Sequence, residues 1–320
     1  MANLFGLLFS LLTNLKQKIY FISGPTAIGK SSLALRIAKK NNGIIINADS
    51  MQVYSNLEIL TARPNKSDLD QINHKLYGYV DASIRYNVAK WISDTLKVIE
   101  NNEVNNRVSI IVGGTGMYID SILSGLIDLP NIPEEYKKKS EDFLNTIGIE
   151  KFIKTVGEID PIAIKNISTN DTTRLRRIWE VYKCTGETYS FWKNKKNKIF
   201  LKNFSHKLFL FIPPKDKIYK NVNLRFKDMI KQGAIEEVKK LIKLNLDKSL
   251  PLMRAHGVPE ISSYLENKTS LEEAIYKGQQ VTRNYVKRQL TWWRSSSLPI
   301  HQVFNEFPKE IDENLIKMMI

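Results

Sequence analysis

The chain has 320 residues, of which 42% are hydrophobic and 25% charged. This composition excludes a disordered or fibrous protein, and the length is sufficient for one large domain with a smaller one. Lysine and arginine number 48 against 33 acidic residues, which gives a net charge of +15. Such an excess favours a polyanionic partner such as nucleic acid, although a genome of biased composition would also enrich lysine.

The number and spacing of cysteine and histidine exclude proteins with an internal disulfide and proteins with a cysteine-cluster metal site. The single cysteine, Cys184, excludes an internal disulfide and a cysteine-cluster metal site, and the four histidines show no ligand spacing. The apolar run LFGLLFSLL near the N-terminus has nine residues, whereas a membrane span needs about 20. We therefore predict a cytoplasmic protein without a membrane-spanning helix, in which residues 1–15 form an N-terminal extension of unknown role.

The first predicted element is a strand that leads through a loop into a helix. The segment KIYFISGP, at 18–25, is a short β-rich run that ends in glycine and proline. The segment SSLALRIAKK, at 31–40, has apolar residues at helical spacing.

Two more buried strands are predicted, GIIINADS at 43–50 and RVSIIVGGTG at 107–116. Continuous apolar runs of this kind are typical of a parallel sheet that is buried on both faces. Each of the three strands ends in small or polar residues. Gly24, Asp49 and Thr115 should therefore meet at the carboxyl edge of the sheet, where open α/β sheets bind ligands.

The pattern becomes helical from about Pro130. Charged amphipathic segments follow one another until KLFLFIPP, at 207–214, predicts another strand, and the remaining chain is predominantly helical. The predicted fold is α/β. A P-loop domain with a central parallel sheet flanked by helices comprises 16–129 and 205–320, and an inserted all-helical domain comprises 130–204.

The loop after the first strand matches the phosphate-binding pattern G-x-x-x-x-G-K-[ST]. Its glycines let backbone N–H groups approach an anion, and the following helix N-terminus adds a partial positive charge. Lys30 supplies a full charge, and the Ser31 hydroxyl is placed to hold Mg²⁺. The predicted phosphate-binding residues are Gly24, Pro25, Thr26, Ala27, Ile28, Gly29, Lys30 and Ser31.

The acids and cations near the loop indicate which phosphate compound it binds. A nucleotide hydrolase normally has a magnesium-holding acid after a later strand, but the strand at 107–116 ends in VGGTG. Asp49 could instead act as a general base, although a turn or helix cap is the commoner role of a lone aspartate. Arg225 is a candidate second cation for the bound phosphates, with an ordinary surface arginine as the alternative.

Two basic segments predict an RNA surface. The segment NDTTRLRRIWEVYK places three arginines within one helical turn, and TRNYVKRQLTWWR mixes four cations with aromatic residues. Cations neutralise phosphates, and aromatic rings pack against bases. The alternative is a solvated basic face over a core seam, in which Trp292 and Trp293 are both buried.

Seven sequence blocks extend these motifs from about residue 20 to 294. They are GPTAIGKSSLAL, NADSMQVYSNLEILTARP, VGGTGMYIDSILSGL, DPIAIKNISTNDTTRLRRIWEVYKCTGE, RFKDMIKQGAIEEV, MRAHGVPEI and TRNYVKRQLTWWR. In this order the blocks resemble those of the bacterial tRNA dimethylallyltransferase family, also called tRNA isopentenyltransferases. The sequence departs from the family at Ile28, where relatives often have serine, at ARP (62–64) in place of AKP, and at HGVPEI in place of a GY-containing segment.

The resemblance implies a reaction and a set of site residues. A dimethylallyl group would pass from dimethylallyl diphosphate to the exocyclic amine of the adenosine 3′-adjacent to the anticodon. The loop would hold the prenyl diphosphate with Mg²⁺, Asp49 would be the general base, and Thr115 and Arg225 would act beside it. The implied tRNA-binding residues, at the anticodon stem-loop, are Asp49, Ser50, Met51, Gln52, Thr115, Lys137, Thr173, Arg174, Leu175, Arg176, Arg177, Arg254, His256, Lys287, Arg288, Gln289 and Arg294.

Three other functions stay open on the residues alone. They are an adenylate isopentenyltransferase with a free nucleotide acceptor, a P-loop nucleotide kinase or ATPase, and a non-catalytic RNA-binding module. The large insertion with its arginine cluster disfavours the first, the missing acid disfavours the second, and a binding module would need neither Lys30 nor Asp49. We expect a monomer, since a tRNA-sized groove within one chain needs no partner subunit.

Overall fold

The computed structural model describes residues 18–165, 167–195 and 197–319. The predicted N-terminal extension, 1–15, lies outside the described residues. The strands are β1 (Lys18–Ser23), β2 (Gly43–Asn47), β3 (His74–Lys75), β4 (Val108–Gly113), β5 (Ser205–Phe211) and β6 (Gln302–Phe304).

Helices surround and follow these strands. In the first part of the chain they are α1 (Lys30–Lys40), α2 (Lys66–Gln71), α3 (Val88–Val104) and α4 (Gly116–Ser124). In the middle they are α5 (Glu134–Ile147), α6 (Ile149–Ile159), α7 (Pro161–Ile164), α8 (Thr172–Thr185) and α9 (Tyr189–Lys193). After β5 they are α10 (Lys215–Lys231), α11 (Ala234–Ile242), α12 (Val258–Leu265), α13 (Leu271–Ser295) and α14 (Glu313–Met319), with 3-10 turns at Leu252–Arg254 and Pro308–Glu310.

The strands form one six-stranded parallel sheet in the order β3-β2-β4-β1-β5-β6. The four strands predicted from sequence are confirmed as β1, β2, β4 and β5. Sequence analysis missed the two edge strands because His74–Lys75 and Gln302–Phe304 are too short to show a hydrophobic period. The predicted α/β class, with a central parallel sheet flanked by helices, is confirmed.

The central strands are apolar on both faces because helices cover both sides of the sheet. The side chains of β2 are all buried, as are all but the first of β1. Helix α1 buries the face formed by Leu33, Ala34, Ile37 and Ala38. This packing fixes the direction in which the helix N-terminus points, so the loop before it is held on a rigid scaffold.

The chain divides into two compact units. Among the described residues, one unit is made of the chain up to Leu123 and from Phe200 onward, and the second, called the helical unit here, runs Ser124–Ile199. The helical unit has its own core of buried residues on α6 and α8, among them Phe152, Val156 and Trp179. The predicted insertion, 130–204, shares residues 130–199 with this unit.

None of the helices in the described part of the chain is long and apolar enough to cross a membrane.

Candidate active site

The site lies at the carboxyl edge of the sheet, where three strand ends meet. Strands β1 and β2 both pair with β4, so that Ser23 lies opposite Gly113 and Asn47 lies opposite Val112. The phosphate loop (residues 24–31) follows β1, Asp49 follows β2 and Thr115 follows β4. The structure thus places these three features together, as the strand pattern predicted.

The phosphate loop adopts a shape that depends on backbone freedom. Gly24 has φ +145° and Gly29 has φ +86°, and Ala27 also lies in the left-handed region at φ 63°. A Cβ on Gly24 would lie 2.3 Å from the Phe211 carbonyl oxygen, so only glycine fits there. Gly29 caps α1 without a side-chain hydrogen bond, which leaves the first N–H groups of the helix to an anion.

Two cations face this loop. The Lys30 Nζ donates hydrogen bonds to the carbonyl oxygens of Gly24 (3.1 Å) and Pro25 (2.7 Å). An Arg225 Nη2 from α10 donates to the Thr26 hydroxyl at 2.7 Å. The predicted loop residues and Arg225 are therefore brought together, although 199 positions separate Thr26 from Arg225.

The environment of these cations favours a bound anion. Burial lowers the pKa of Lys30 to about 7; the Asp49 carboxylate opposes this shift and the neighbouring Arg225 charge adds to it. Burial also lowers the pKa of Arg225, again opposed by Asp49. A desolvated cation is stabilised when an opposite charge arrives, so a diphosphate at the loop would restore the charged form of Lys30.

Asp49 is fixed by the residue that ends β2. The Asn47 side chain accepts a hydrogen bond from the Asp49 N–H (2.8 Å) and donates to the Asp49 carbonyl oxygen (2.9 Å). The Asn47 carbonyl is held in turn by the Trp91 indole N–H at 2.7 Å. Sequence analysis missed Asn47, although a polar residue that ends a continuous apolar strand was a usable signal.

The two oxygens of the Asp49 carboxylate have different surroundings. Its Oδ1 accepts hydrogen bonds from the N–H groups of Met51 (2.9 Å) and Gln52 (3.4 Å), which is the turn role that sequence analysis gave as the alternative. Within the described residues Oδ2 accepts no hydrogen bond, and the side chain lines a cavity. One oxygen therefore holds the turn while the other is open to accept a proton.

The cavity joins these polar groups to an apolar wall. Its volume is about 180 Å³, and Thr26, Asp49 and Arg225 contribute to its polar lining. Its apolar lining consists of Met51, Leu60, Val222, Phe226, Met229 and Ala255. A ligand with a charged end and a short hydrocarbon end matches this division.

Gln289, on α13, connects the phosphate loop to the loop that carries Thr115. Its side-chain oxygen accepts a hydrogen bond from the Thr26 N–H at 2.9 Å, and its amide donates to the Gly114 carbonyl oxygen at 2.7 Å. The side chain is only 6% exposed. Sequence analysis predicted that Gln289 binds tRNA, whereas burial and these two bonds support a positioning role inside the site.

Thr115 and its neighbours form the side of the site nearest α13. The Thr115 hydroxyl accepts a hydrogen bond from the Ser50 N–H at 3.1 Å. Tyr285 lines the same cavity as Asp49, and burial, together with the Asp49 charge, raises the pKa of its hydroxyl. A neutral phenol thus stands beside the carboxylate.

The predicted surface residues on α13 and before α12 divide into exposed and half-buried groups. The exposed group consists of Arg254, Lys287, Arg288 and Arg294. His256 is half-buried, and burial, with a smaller effect from Arg288, lowers the pKa of its ring while Asp49 opposes that shift. The exposed cations are therefore available to a polyanion.

The two tryptophans of α13 differ. Trp293 is buried, as the core alternative predicted, but Trp292 is half-buried and lines a groove with Lys287, Arg288 and Thr291. An aromatic ring beside two cations is a surface that a nucleic-acid base or sugar can contact.

The predicted residues of the helical unit also differ from one another. Thr173 and Arg174 are exposed, and Arg177 lies 3.7 Å from Glu180. Leu175 is 1% exposed and belongs to the core of the unit, so its side chain does not lie on the predicted tRNA surface. The Lys137 Nζ pairs with Glu134 at 2.6 Å.

Arg176 holds α8 against α5. Its Nε donates to the Ser140 hydroxyl (2.9 Å), and an Nη2 donates to the Lys137 carbonyl oxygen (2.8 Å) and to Glu141 (3.2 Å). Sequence analysis predicted a tRNA contact for Arg176. These bonds instead support a role inside the unit, which leaves Arg174 as the better placed cation.

The arrangement defines a P-loop α/β protein with a part-polar, part-apolar cavity at the carboxyl edge of its sheet, and comparison with known proteins specifies the family. Residues 52–296 match the family model described as IPP transferase. The chain therefore belongs to the IPP transferase family, as the resemblance in its motifs implied.

Curated relatives and solved structures agree with this assignment. A tRNA dimethylallyltransferase of Ehrlichia canis is 42% identical over 87% of this chain and 92% of its own length. One of Bartonella henselae is 42% identical over 87% and 96%. Among solved structures, a tRNA isopentenylpyrophosphate transferase of Bacillus halodurans is 29% identical, with a TM-score of 0.66 over 95% of both chains. A eukaryotic dimethylallyltransferase acting on tRNA is 25% identical, with a TM-score of 0.81 over 94% of this chain and 77% of its own.

Proposed function

We propose that this protein transfers a dimethylallyl group from dimethylallyl diphosphate to the exocyclic amine, N6, of the adenosine 3′-adjacent to the tRNA anticodon. The observation that carries the proposal is one cavity lined by an anion-binding loop with Arg225, by the open oxygen of Asp49 and by an apolar wall. Membership of the IPP transferase family supports it.

The phosphate loop and its cations would hold the leaving group. The free backbone N–H groups at the start of α1, together with Lys30 and Arg225, would bind the diphosphate oxygens. As the bond between C1 and the diphosphate oxygen breaks, positive charge spreads over the allyl group and negative charge collects on the diphosphate. The two cations stabilise that negative charge as it develops.

Asp49 would accept the proton of the acceptor amine. The lone pair of adenine N6 is conjugated into the ring, so the amine is a poor nucleophile until its proton leaves. The bond from N6 to C1 forms while the proton passes to Asp49, and diphosphate departs. General-base assistance of this kind contributes about 10²- to 10⁴-fold.

Mg²⁺ is part of the proposal, and the donor set of the loop fits it. The described residues contain no group of three or more His, Cys, Asp or Glu side chains able to hold a metal ion. Mg²⁺ commonly keeps several waters and binds through few protein ligands plus substrate phosphates. The Ser31 hydroxyl, on the first turn of α1, would share it with the diphosphate, and the bound ion would supply positive charge to the leaving group.

The acceptor would be an anticodon stem-loop with its target base turned out of the stack. Extrusion of the base costs a few kcal/mol, and residues 49–52 with Thr115 would receive it beside the cavity. The exposed cations of α13 and Arg174 of the helical unit would bind phosphates. A monomer in the cytoplasm is proposed, on the argument that one chain supplies every group named here.

A single acceptor experiment tests the proposal. Labelled dimethylallyl diphosphate and Mg²⁺ are incubated with unmodified tRNA, with AMP or with no acceptor, and ATP turnover is measured in parallel. Label in tRNA, located at the adenosine next to the anticodon, is the expected result. Label in AMP, or ATP turnover without prenyl transfer, would overturn the proposal.

A further inference from the structure

Helix α10 presents a cation and an apolar face to the same cavity. Val222, Phe226 and Met229 recur at helical spacing, are buried and line the cavity. Arg225 lies beside them and reaches Thr26 of the phosphate loop. A diphosphate held at Arg225 would therefore extend its hydrocarbon chain along this face of α10.

Phe226 has no room to move away from the cavity. A Cβ on Gly278 of α13 would lie 2.1 Å from the Phe226 Cζ, and a Cβ on Gly257 would lie 3.2 Å from the Phe226 Cε2. The ring thus lies against two glycines, which permit its position but leave no space behind it. Phe226 is only 3% exposed, so apart from the cavity that it lines its ring is enclosed by protein.

The helix that carries Phe226 is also fixed to α13. The Gln279 amide donates to the Asn223 carbonyl oxygen at 3.0 Å, and an Arg283 Nη1 donates to the Asn223 side-chain oxygen at 2.6 Å. These bonds lie one turn or less from Phe226. The wall formed by the ring is therefore held at a set distance from the phosphate loop.

We propose that the Phe226 ring, supported by Gly257 and Gly278, closes the apolar end of the cavity and restricts the donor to a five-carbon prenyl diphosphate. The inference rests on the proposed function, since it concerns the hydrocarbon end of the same donor. A longer allylic diphosphate has the same reactive C1 and the same charged end, so chain length alone decides whether it fits.

The test compares donors that differ by one isoprene unit. Transfer to unmodified tRNA is measured with dimethylallyl and with geranyl diphosphate. Equilibrium affinity is measured without tRNA, using the dimethylallyl and geranyl thiolodiphosphates, whose bridging sulfur slows cleavage at C1. We expect the wild-type protein to prefer the five-carbon analogue at least about tenfold, because one excess methylene already costs about 10- to 200-fold in a fitted pocket.

Substitution of Phe226 should lengthen the pocket. In Phe226→Ala the ratio of geranyl to dimethylallyl affinity should rise about 100-fold, and Phe226→Leu should give a smaller rise if the alanine variant does not fold. Phe304→Leu is the matched control, since Phe304 is a similarly buried ring that stacks on Phe211 at the edge strand β6. An unchanged ratio in a folded Phe226 variant would overturn the inference.

Filling the pocket from behind should have the opposite effect. Gly278→Ala would push the ring toward the cavity, and Phe226→Trp would fill it directly. Either variant should bind the dimethylallyl analogue about tenfold more weakly while binding inorganic pyrophosphate as the wild type does, because the phosphate loop is unchanged. Equal weakening for both ligands would contradict the inference.

The two proposals fail in different measurements. A wild-type protein that prefers the five-carbon analogue but transfers no label to tRNA would refute the proposed acceptor and support the pocket assignment. A protein that transfers dimethylallyl and geranyl groups to tRNA equally well would support the proposed function and refute the role of Phe226.

Discussion

The phosphate-loop region and the helical unit both contain arginines and lysines, but these cations have different surroundings. Lys30 and Arg225 are desolvated, and the one carboxylate whose charge counters the lowering of their pKa values is Asp49, which also lines the cavity. In the helical unit, Arg174 and Arg176 pair with acids of their own unit. Cations of the first kind are desolvated and share one nearby carboxylate, whereas each cation of the second kind pairs with an acid of its own unit. Removal of a charge should therefore affect the reaction in the first region and only binding or stability in the second.

The largest effect is expected at Asp49. Asp49→Asn keeps an oxygen for the Met51 and Gln52 N–H groups but removes the base. We expect single-turnover label transfer to fall about 10²- to 10⁴-fold while tRNA affinity in a filter-binding assay stays near that of the wild type. Asp94→Asn is the control. Asp94 accepts hydrogen bonds from the hydroxyls of Tyr79 and Tyr86, and it does not line the cavity. Near-normal turnover in Asp49→Asn would remove Asp49 from the mechanism.

A smaller loss is expected when the phosphate loop is no longer held to the loop of Thr115. Gln289→Leu keeps the volume but removes both hydrogen bonds, to Thr26 and to Gly114. Because a displacement of about 1 Å can cost about 10²-fold in rate, we expect kcat to fall by up to that factor while the KM for tRNA changes little.

Gln289→Glu tests whether Gln289 positions the phosphate loop through these two hydrogen bonds. It keeps an acceptor for Thr26 and loses the donor to Gly114, so it should recover part of the kcat that leucine loses. A folded leucine variant with wild-type kcat would show that the bridge holds the fold and not the reacting groups.

The pKa of Lys30 predicts a pH dependence of diphosphate binding. The free protein has this pKa lowered to about 7, and a bound diphosphate raises it, since an opposite charge favours the protonated amine. Below pH 7 Lys30 is protonated before and after binding, whereas above pH 7 binding takes up a proton. Affinity for inorganic pyrophosphate should therefore decline by up to about tenfold for each pH unit above 7.

Calorimetry in buffers of different ionisation enthalpy measures that proton uptake. Lys30→Arg is the control, because an arginine is always charged and leaves only the titration of the ligand itself. Equal proton uptake by the wild type and Lys30→Arg at pH 8 would contradict the prediction.

The smallest effects, and the clearest contrast, are expected in the helical unit. Arg174 is exposed, with 70% of its side chain accessible, so Arg174→Ala should reduce the slope of log affinity against log salt by about one. Arg176→Ala should leave that slope unchanged and lower the free energy of unfolding by about 1–3 kcal/mol, because the part-buried hydrogen bonds from Arg176 to the Ser140 hydroxyl and the Lys137 carbonyl oxygen are lost. Salt-dependent tRNA binding measures the slope, and thermal melts measure the change in stability. If Arg176→Ala reduced the slope and Arg174→Ala lowered the stability instead, the roles assigned to the two arginines would have to be exchanged.

Sequence analysis identified the fold and the phosphate loop because both depend on local patterns. Apolar runs predict buried strands, and the loop pattern predicts its own conformation. The internal hydrogen bonds of Arg176 and Gln289 could not be predicted, because their partners lie far away in the chain, at Ser140 and at Thr26 and Gly114. The residue type shows that a side chain carries a charge or an amide group, but it does not show which atom that group will hydrogen-bond. Phe226 was missed for the same reason, since nothing local shows that its ring lies on Gly278.

The Gln289 bridge also bears on when the enzyme can first work during its synthesis. The bridge spans 263 positions to the Thr26 N–H and 175 to the Gly114 carbonyl. A ribosome-bound chain that has completed the sheet through β5 has its phosphate loop, but the side chain that fixes this loop has not yet been made. We therefore expect catalytic competence to arise late, once α13 has emerged and docked, so that partly made chains cannot modify tRNA.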